Sequence, residues 1–125
     1  DVARARALLA EAGHRDGVTI RAVVSSNSAQ LPIMEVVQAQ LRRANIRLEM
    51  DVVEHATYHA RIRQDLSQMI FYGAARYPVA DSYLTQFYHS RSAPGRPTMS
   101  LNFAHCDAAD AEIDAARAEP DESPS

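Results

Sequence analysis

Two stretches of alternating apolar and polar residues, joined by one amphipathic helix, constrain the fold of this chain most strongly. Residues 18–24 and 46–52 alternate with the period of two that a β-strand requires. One apolar stripe of a helix lies between them, formed by Leu31, Met34, Val37, Leu41 and Ala44. Because strands separated by a single helix pair in parallel through a right-handed crossover, the pattern predicts an α/β fold.

The rest of the chain extends this pattern. Apolar spacing predicts further helices at about 2–12, 56–64, 81–89 and 108–118. Asp1 is a candidate cap of the first of these, and Gly13 follows it where a left-handed residue is common. Asn45 is the expected end of the helix between the two strands. The continuous apolar run of residues 69–75 favours a third strand that is covered on both faces. The predicted fold is therefore a small, mainly parallel sheet of about three strands with flanking helices.

Length and composition limit the organisation of the chain. Its 125 residues suit one ordinary domain, which we expect over residues 1–118. Residues 119–125 form an acidic, proline-containing tail that we expect to be disordered. The sequence begins inside a helical pattern without an initiator Met, so we expect a piece of a longer protein.

Charge and motifs argue against several classes of function. The net charge of −3 comes from interspersed residues without a basic block, so nucleic acid is not an expected partner. The single Cys106 excludes an internal disulfide and a cysteine-based metal cluster. No phosphate loop, dinucleotide fingerprint or nucleophile elbow is present in the sequence. We therefore expect a protein without enzymatic activity and without a cofactor.

Two histidines, His55 and His59, are four residues apart, a spacing that on a helix places both side chains on one face. Such spacing occurs in zinc sites, but Ala56 occupies the place where a metalloprotease has its glutamate. The spacing therefore favours a solvated pair of histidines and no metal site. The alternative is a metal-dependent hydrolase that uses this pair.

The carboxyl ends of the predicted strands are where α/β sheets bind ligands. The first end carries Ser25, Ser26 and Asn27, which either cap the next helix or offer a polar surface to a ligand. The second end is Glu54–Thr57, and the third carries Gly73, Ala74, Ala75 and Arg76. We predict the seven residues of the first and third ends as the ligand-binding set, with Arg76 facing an anionic group of the solute.

Several stretches resemble the family 5 extracellular solute-binding proteins, which serve ABC importers of the peptide and nickel class. They are Ser25–Ile33 with Gln38–Leu41, Ile46–Glu54, His59–Gln64, Phe71–Pro78 running into Asp81–Leu84, and Asn102–His105 with Ala109–Asp114. The resemblance covers nearly the whole chain down to its acidic tail. It implies part of the carboxy-terminal lobe of a type II periplasmic-binding-protein-like fold.

The resemblance also implies a function. The whole protein would capture a peptide-like or other small polar solute between two lobes and deliver it to ABC permease subunits. Its location would be periplasmic, or extracytoplasmic and membrane-associated. Peptide binders of the family carry an aspartate where this chain has Arg76, and dipeptide binders carry an arginine near Val24 or Ser25 that is missing here. Both departures argue against a conventional free peptide as the solute.

Two further expectations follow. A stand-alone regulatory α/β module is a second alternative, although it would be expected to carry an acidic, phosphorylatable cluster at the strand ends. Aromatic residues of the fourth predicted helix, Tyr83, Phe87 and Tyr88, would face the rest of a larger protein. We therefore expect self-association of the chain through these side chains.

Overall fold

The computed structural model describes residues 1–76, 78–95 and 101–119. The chain forms two compact units. The first contains residues 1–62 and 66–72, and the second contains residues 63–65 and the described residues from 73 onward. Each unit has its own set of helices and its own polar contacts.

The first unit is a β–α–β arrangement preceded and followed by a helix. Its elements are α1 (Val2–Glu11), β1 (Val18–Ser25), α2 (Leu31–Arg43), β2 (Ile46–Val53) and α3 (His55–Ile62). Strands β1 and β2 pair in parallel, from Val18 opposite Ile46 to Ser25 opposite Val53. The predicted α/β class, the parallel pairing and the order of these elements are therefore confirmed.

The ends of the first elements follow from individual residues. Asp1 caps α1, because its carboxylate accepts a hydrogen bond of 3.1 Å from the backbone N–H of Arg4. Gly13 has a φ of 87°, which lets the chain turn away after α1. Asn45 adopts the left-handed region with a φ of 64° and links α2 to β2 directly.

The core of the first unit lies between the sheet and α2. Four fully buried side chains form its centre: Ala22, Val24, Met34 and Leu48. Partly buried apolar side chains of both strands, of α2 and of residues 69–71 surround them. The stripe predicted for α2 is the face that packs on the sheet, whereas Ile33 and Val36 lie on its exposed side.

The predicted third strand is wrong in its extent. Of the run 69–75, only Met69 makes a β-bridge, a parallel one to Ala22, and the sheet has two strands in the described residues. The N–H of Arg21 instead donates to the Gln68 side chain at 2.9 Å, and the N–H of Val23 donates to the Ser67 hydroxyl at 3.0 Å. Because side-chain oxygens occupy the places of strand carbonyls, the ladder stops after one bridge.

The second unit contains α4 (Ala80–Tyr88), a 3₁₀ turn (Ser90–Ser92) and α5 (Asp110–Ala118). An ion pair of 3.1 Å between Asp81 and Arg117 joins the two helices. The buried His89 lies 3.2 Å from the carboxylate of Asp114 and 3.6 Å from that of Asp110. Hydrogen bonds from the hydroxyl and the backbone N–H of Ser90 lower the pKa of Asp110. Polar contacts therefore help to hold the second unit together, beside the buried side chains of Leu101 and Ile113.

Asn102 is the most completely buried polar residue of the second unit. Its amide nitrogen donates to the carbonyls of His89, at 3.0 Å, and of Cys106, at 2.7 Å. Its amide oxygen accepts from the N–H of Cys106 at 3.0 Å. One side chain thus fixes the loop that leads into α5.

The predicted tail is described only at Glu119, and its residues 120–125 lie outside the described part. Within the described residues, no helix combines the length and the apolar character that a membrane span needs.

Candidate functional site

A cluster of polar side chains lies at the carboxyl end of β1, in the first unit. The Ser25 hydroxyl lies 2.8 Å from Nδ1 of His55, and the Asn27 amide nitrogen lies 3.1 Å from the same atom. Ser25 is fully buried, Asn27 is half-buried and His55 is exposed. The cluster therefore reaches from the end of the strand to the surface.

Local structure explains these positions. Asn27 accepts a hydrogen bond of 2.9 Å from the N–H of Gln30 and so shapes the turn before α2. No side chain caps α2 itself, so a serine hydroxyl does not serve that purpose. On the other side, the carboxylate of Glu54 accepts from the N–H of Ala56 at 3.1 Å and starts α3 at His55.

The second histidine, His59, lies one turn further along α3. The Nε2 atoms of His55 and His59 are 3.1 Å apart. The ring of His55 is stacked on Tyr58, and the ring of His59 meets the edge of Tyr72 with a centroid distance of 6.0 Å. Aromatic contacts thus hold both imidazoles in defined orientations.

Tyr58 is the buried support of this cluster. Its hydroxyl donates to the carbonyl of Phe71, and its ring is inaccessible to solvent. Burial raises the pKa of the Tyr58 hydroxyl, with a side-chain hydrogen bond from Gln30 acting in the opposite direction. Tyr58 therefore remains a neutral hydrogen-bond donor at physiological pH.

Arg76 is the candidate residue of the second unit. Its Nε donates to the Gln86 side chain at 2.9 Å, and its Nη1 donates to the carbonyl of Ala75 at 3.1 Å. The guanidinium lies 5.9 Å from the centre of the Phe87 ring. The backbone N–H of Arg76 donates to the Tyr83 hydroxyl at 3.0 Å. Helix α4 thus orients both the backbone and the side chain of Arg76.

The predicted ligand-binding residues fall into two sets. Ser25, Ser26 and Asn27 belong to the first unit. Gly73, Ala74 and Ala75 are exposed residues of the second unit and directly precede Arg76. The structure groups each set within its own unit.

Sequence reasoning placed the residues after β2 at the same edge of the sheet as Ser25 and Asn27, because the carboxyl ends of paired parallel strands meet there. It did not include His55 among the predicted ligand-binding residues and missed its contacts with Ser25 and Asn27. The contribution of Tyr58 was also missed, since its burial depends on the fold around residues 71–72.

A surface cavity of about 380 Å³ lies at the opposite ends of the strands. It is lined by Asp16, Gly17, Val18, Thr19, Arg42, Asn45, Ile46 and Arg47. Ligands in parallel sheets bind at the carboxyl ends, so this cavity is not the candidate site. Among the described residues, no group of three or more His, Cys, Asp or Glu side chains converges on a point where a metal ion would fit.

Comparison with known proteins gives a consistent result. The family model described as bacterial extracellular solute-binding proteins, family 5 Middle, matches residues 1–95. Among solved structures, MoaA from A. tumefaciens R10, in complex with mannopinic acid, is 49% identical over 97% of this chain, with a TM-score of 0.92. No curated protein sequence matches the chain.

Two more distant structures share the fold. DppA from Helicobacter pylori, in complex with the peptide STSA, is 23% identical over 98% of this chain, with a TM-score of 0.80. AgaA from A. tumefaciens R10, in complex with agropinic acid, is 22% identical over 98% of this chain, also with a TM-score of 0.80. The chain spans about a quarter of these proteins: 24% of MoaA, 24% of DppA and 25% of AgaA.

Proposed function

Because the chain belongs to the bacterial extracellular solute-binding proteins of family 5, we propose that it is part of a non-enzymatic subunit that captures a small carboxylate-bearing solute for an ABC importer. The solute would be held between this lobe and a second one, and the protein would work outside the cytoplasm with permease subunits. Its chemical class is that of mannopinic acid, and a free peptide is the less favoured solute.

The observation that carries this proposal is the 49% identity to the mannopinic acid complex of MoaA. The more distant structures share the fold at 20–23% identity and include both peptide and agropinic acid complexes. The 49% identity is an average over 97% of this chain. The solute of this relative is therefore the best guide to the solute of the present protein.

The surroundings of Arg76 support an anionic solute. A guanidinium has five N–H donors, and the bonds to Gln86 and Ala75 use two of them. Gln86 and Phe87 fix the orientation of its plane, so the side chain is organised before a ligand arrives. A planar cation held in this way suits bidentate binding of a carboxylate and repels the free amine of a peptide.

The polar set of the first unit would offer uncharged groups of its own to a solute. Ser26 is exposed, and the amide of Asn27 and the imidazole of His55 lie at the surface of the same cluster. Ser25 is fully buried, so it would act by positioning His55. Hydroxyl, amide and imidazole groups offer both donors and acceptors to a polyhydroxylated or amide-containing solute.

Titration calorimetry on the full-length parent protein tests the proposal. Mannopinic acid, agropinic acid and the dipeptide Met-Leu would be compared on the wild type, on Arg76→Gln and on the control Arg15→Gln, which changes an exposed arginine of the turn before β1. We expect the acids to bind the wild type and the control alike. Loss of a buried charge-assisted partner should weaken this binding in Arg76→Gln by about 2 to 5 kcal/mol.

Two results would contradict the proposal. Preference of the wild type for Met-Leu over both acids would assign the protein to the peptide binders. Equal affinity of Arg76→Gln and the wild type for the preferred acid would show that Arg76 is a surface charge without a role in binding.

A further inference from the structure

We propose that His55 and His59 form a binding site for a divalent transition-metal ion, with Cu²⁺ bound more tightly than Ni²⁺ or Zn²⁺. The spacing of the two residues alone favours a solvated pair, but the arrangement of their rings carries more information. The site uses only residues of the first unit. It shares His55 with the polar set proposed for the solute, and it is tested with metal ions alone.

The distance between the two ring nitrogens fits a shared ion. Imidazole nitrogens lie about 2.0 to 2.1 Å from Zn²⁺, and similar distances apply to Cu²⁺ and Ni²⁺. Two nitrogens 3.1 Å apart would then subtend about 98° at an ion placed between them. This angle is close to that between neighbouring ligands in the tetragonal geometry of Cu²⁺ and Ni²⁺.

The separation of the rings supports the same arrangement. If the two Nε2 atoms faced each other in a straight N–H···N hydrogen bond, the ring centroids would be about 5.4 Å apart. If both nitrogens pointed at one ion, the centroids would be about 4.8 Å apart. The observed centroid distance is 4.5 Å, with the ring planes at 79°. The rings are therefore bent toward each other, closer to a chelating pair than to a straight hydrogen bond.

Contacts with Ser25 and Asn27 hold the imidazole of His55, the first of the two metal-binding residues, in place. A histidine that binds metal through Nε2 donates its Nδ1–H to a neighbouring group. The Ser25 hydroxyl lies 2.8 Å from Nδ1 of His55 and can accept a hydrogen bond from an Nδ1–H group. The Asn27 amide nitrogen, 3.1 Å from Nδ1, is a donor and favours the opposite tautomer. Metal binding would therefore move the ring proton of His55 from Nε2 to Nδ1. The Nδ1–H group would then donate a hydrogen bond to the Ser25 hydroxyl.

The site is also accessible. His55 is exposed and His59 is half-buried, so an ion can approach from solvent and keep water as its remaining ligands. Imidazole nitrogen suits Cu²⁺, Ni²⁺ and Zn²⁺ and does not suit Mg²⁺ or Ca²⁺, which prefer oxygen. The general order of divalent affinities places Cu²⁺ above both Ni²⁺ and Zn²⁺.

The test titrates the untagged chain with CuCl₂, NiCl₂ and ZnCl₂ in a weakly coordinating buffer. Calorimetry should show one equivalent of Cu²⁺ bound, with weaker binding of the other two ions. Electron paramagnetic resonance of the Cu²⁺ form should show coupling to two imidazole nitrogens. This spectrum is recorded on the wild type, so it does not depend on the folding of a variant.

Four variants identify the ligands. His55→Ala and His59→Ala should each weaken Cu²⁺ binding at least about tenfold, because loss of an outer-shell partner alone costs about 10- to 100-fold. The matched control His14→Ala, in the turn after α1, should bind Cu²⁺ like the wild type. Asn27→Asp replaces the amide donor beside Nδ1 with an acceptor, and we expect it to raise Cu²⁺ affinity about tenfold.

Each opposite outcome would overturn the proposal. These outcomes are the absence of Cu²⁺ binding by the wild type, binding that both alanine variants retain, a spectrum without imidazole nitrogens, and a lower or unchanged affinity in Asn27→Asp. Melting curves recorded without metal verify that each variant is folded before its affinity is compared.

Discussion

Replacement of Asn102 by Ala should destabilise the second unit more than its small change in volume suggests. The side chain is fully buried and makes three hydrogen bonds with the backbone of His89 and Cys106. Alanine removes the partners of two carbonyls and one N–H and leaves these groups inside the protein. Because an unsatisfied buried polar group is costly, the loss exceeds that of three exposed hydrogen bonds.

The magnitude follows from the three bonds. Each contributes about 1 to 1.5 kcal/mol, so their loss lowers the free energy of unfolding by about 3 to 4.5 kcal/mol. For a protein of 125 residues, 1 kcal/mol corresponds to about 4 °C in melting temperature. We therefore expect the transition that includes this unit to move down by roughly 12 to 18 °C.

Urea unfolding followed by tyrosine fluorescence and circular dichroism measures the loss in free energy of unfolding, and a thermal melt measures the shift in melting temperature. The matched control is Gln40→Ala, which removes an amide side chain from an exposed position of α2 and should change stability by less than about 0.5 kcal/mol. A loss below about 1 kcal/mol in Asn102→Ala would show that water or a rearranged loop replaces the three bonds. The reasoning from burial would then be refuted.

Two other predictions concern the first unit. Met34→Ala, in the core, should lower the free energy of unfolding by about 2 to 5 kcal/mol. The control Ile33→Ala, at a neighbouring position that is 46% exposed, should lower it by less than about 1 kcal/mol. Equal losses for the two variants in denaturant titrations would contradict the assignment of the buried face of α2. Burial raises the pKa of the Tyr58 hydroxyl in the folded state. Above a pH of about 10, the unfolded state therefore loses the hydroxyl proton before the folded state does, and the free energy of unfolding should fall as the pH rises. Tyr58→Phe should flatten this alkaline part of the stability curve, and a curve of unchanged steepness would show that another group titrates there.

The sequence was sufficient to predict the β–α–β part of the fold. Alternation in β1 and β2 and the stripe of α2 are local patterns, and most of the burial that they predict is present in the structure. Two residues depart from it: Val52 is exposed, and Val23 is buried on the other face of β1. The helix end before Asn45 and the capping Asp1 are likewise local, since each depends on the conformation of a few neighbouring residues.

Other features depend on residues far apart in the chain. The run 69–75 has the composition of a strand, but Ser67 and Gln68 satisfy the edge of β1 with their side chains, and no periodicity indicates this. The contacts of His55 with Ser25 cross 30 positions of sequence. The buried contact between His89 and α5 crosses 25 positions. Such contacts are decided by tertiary packing, which a pattern within one segment does not contain.

The parallel register described for β1 and β2 also bears on how fast the first unit can form. Every aligned pair of the ladder, from Val18 with Ile46 to Ser25 with Val53, is separated by the same 28 positions of sequence. Closing a flexible loop of this length costs about 3 kcal/mol in chain entropy before any strand pair has formed. Helix α2 occupies 13 of those positions, and its formation shortens the distance that the remaining flexible links must close. Prior formation of α2, whose contacts are local in sequence, is therefore expected to speed the pairing of the two strands.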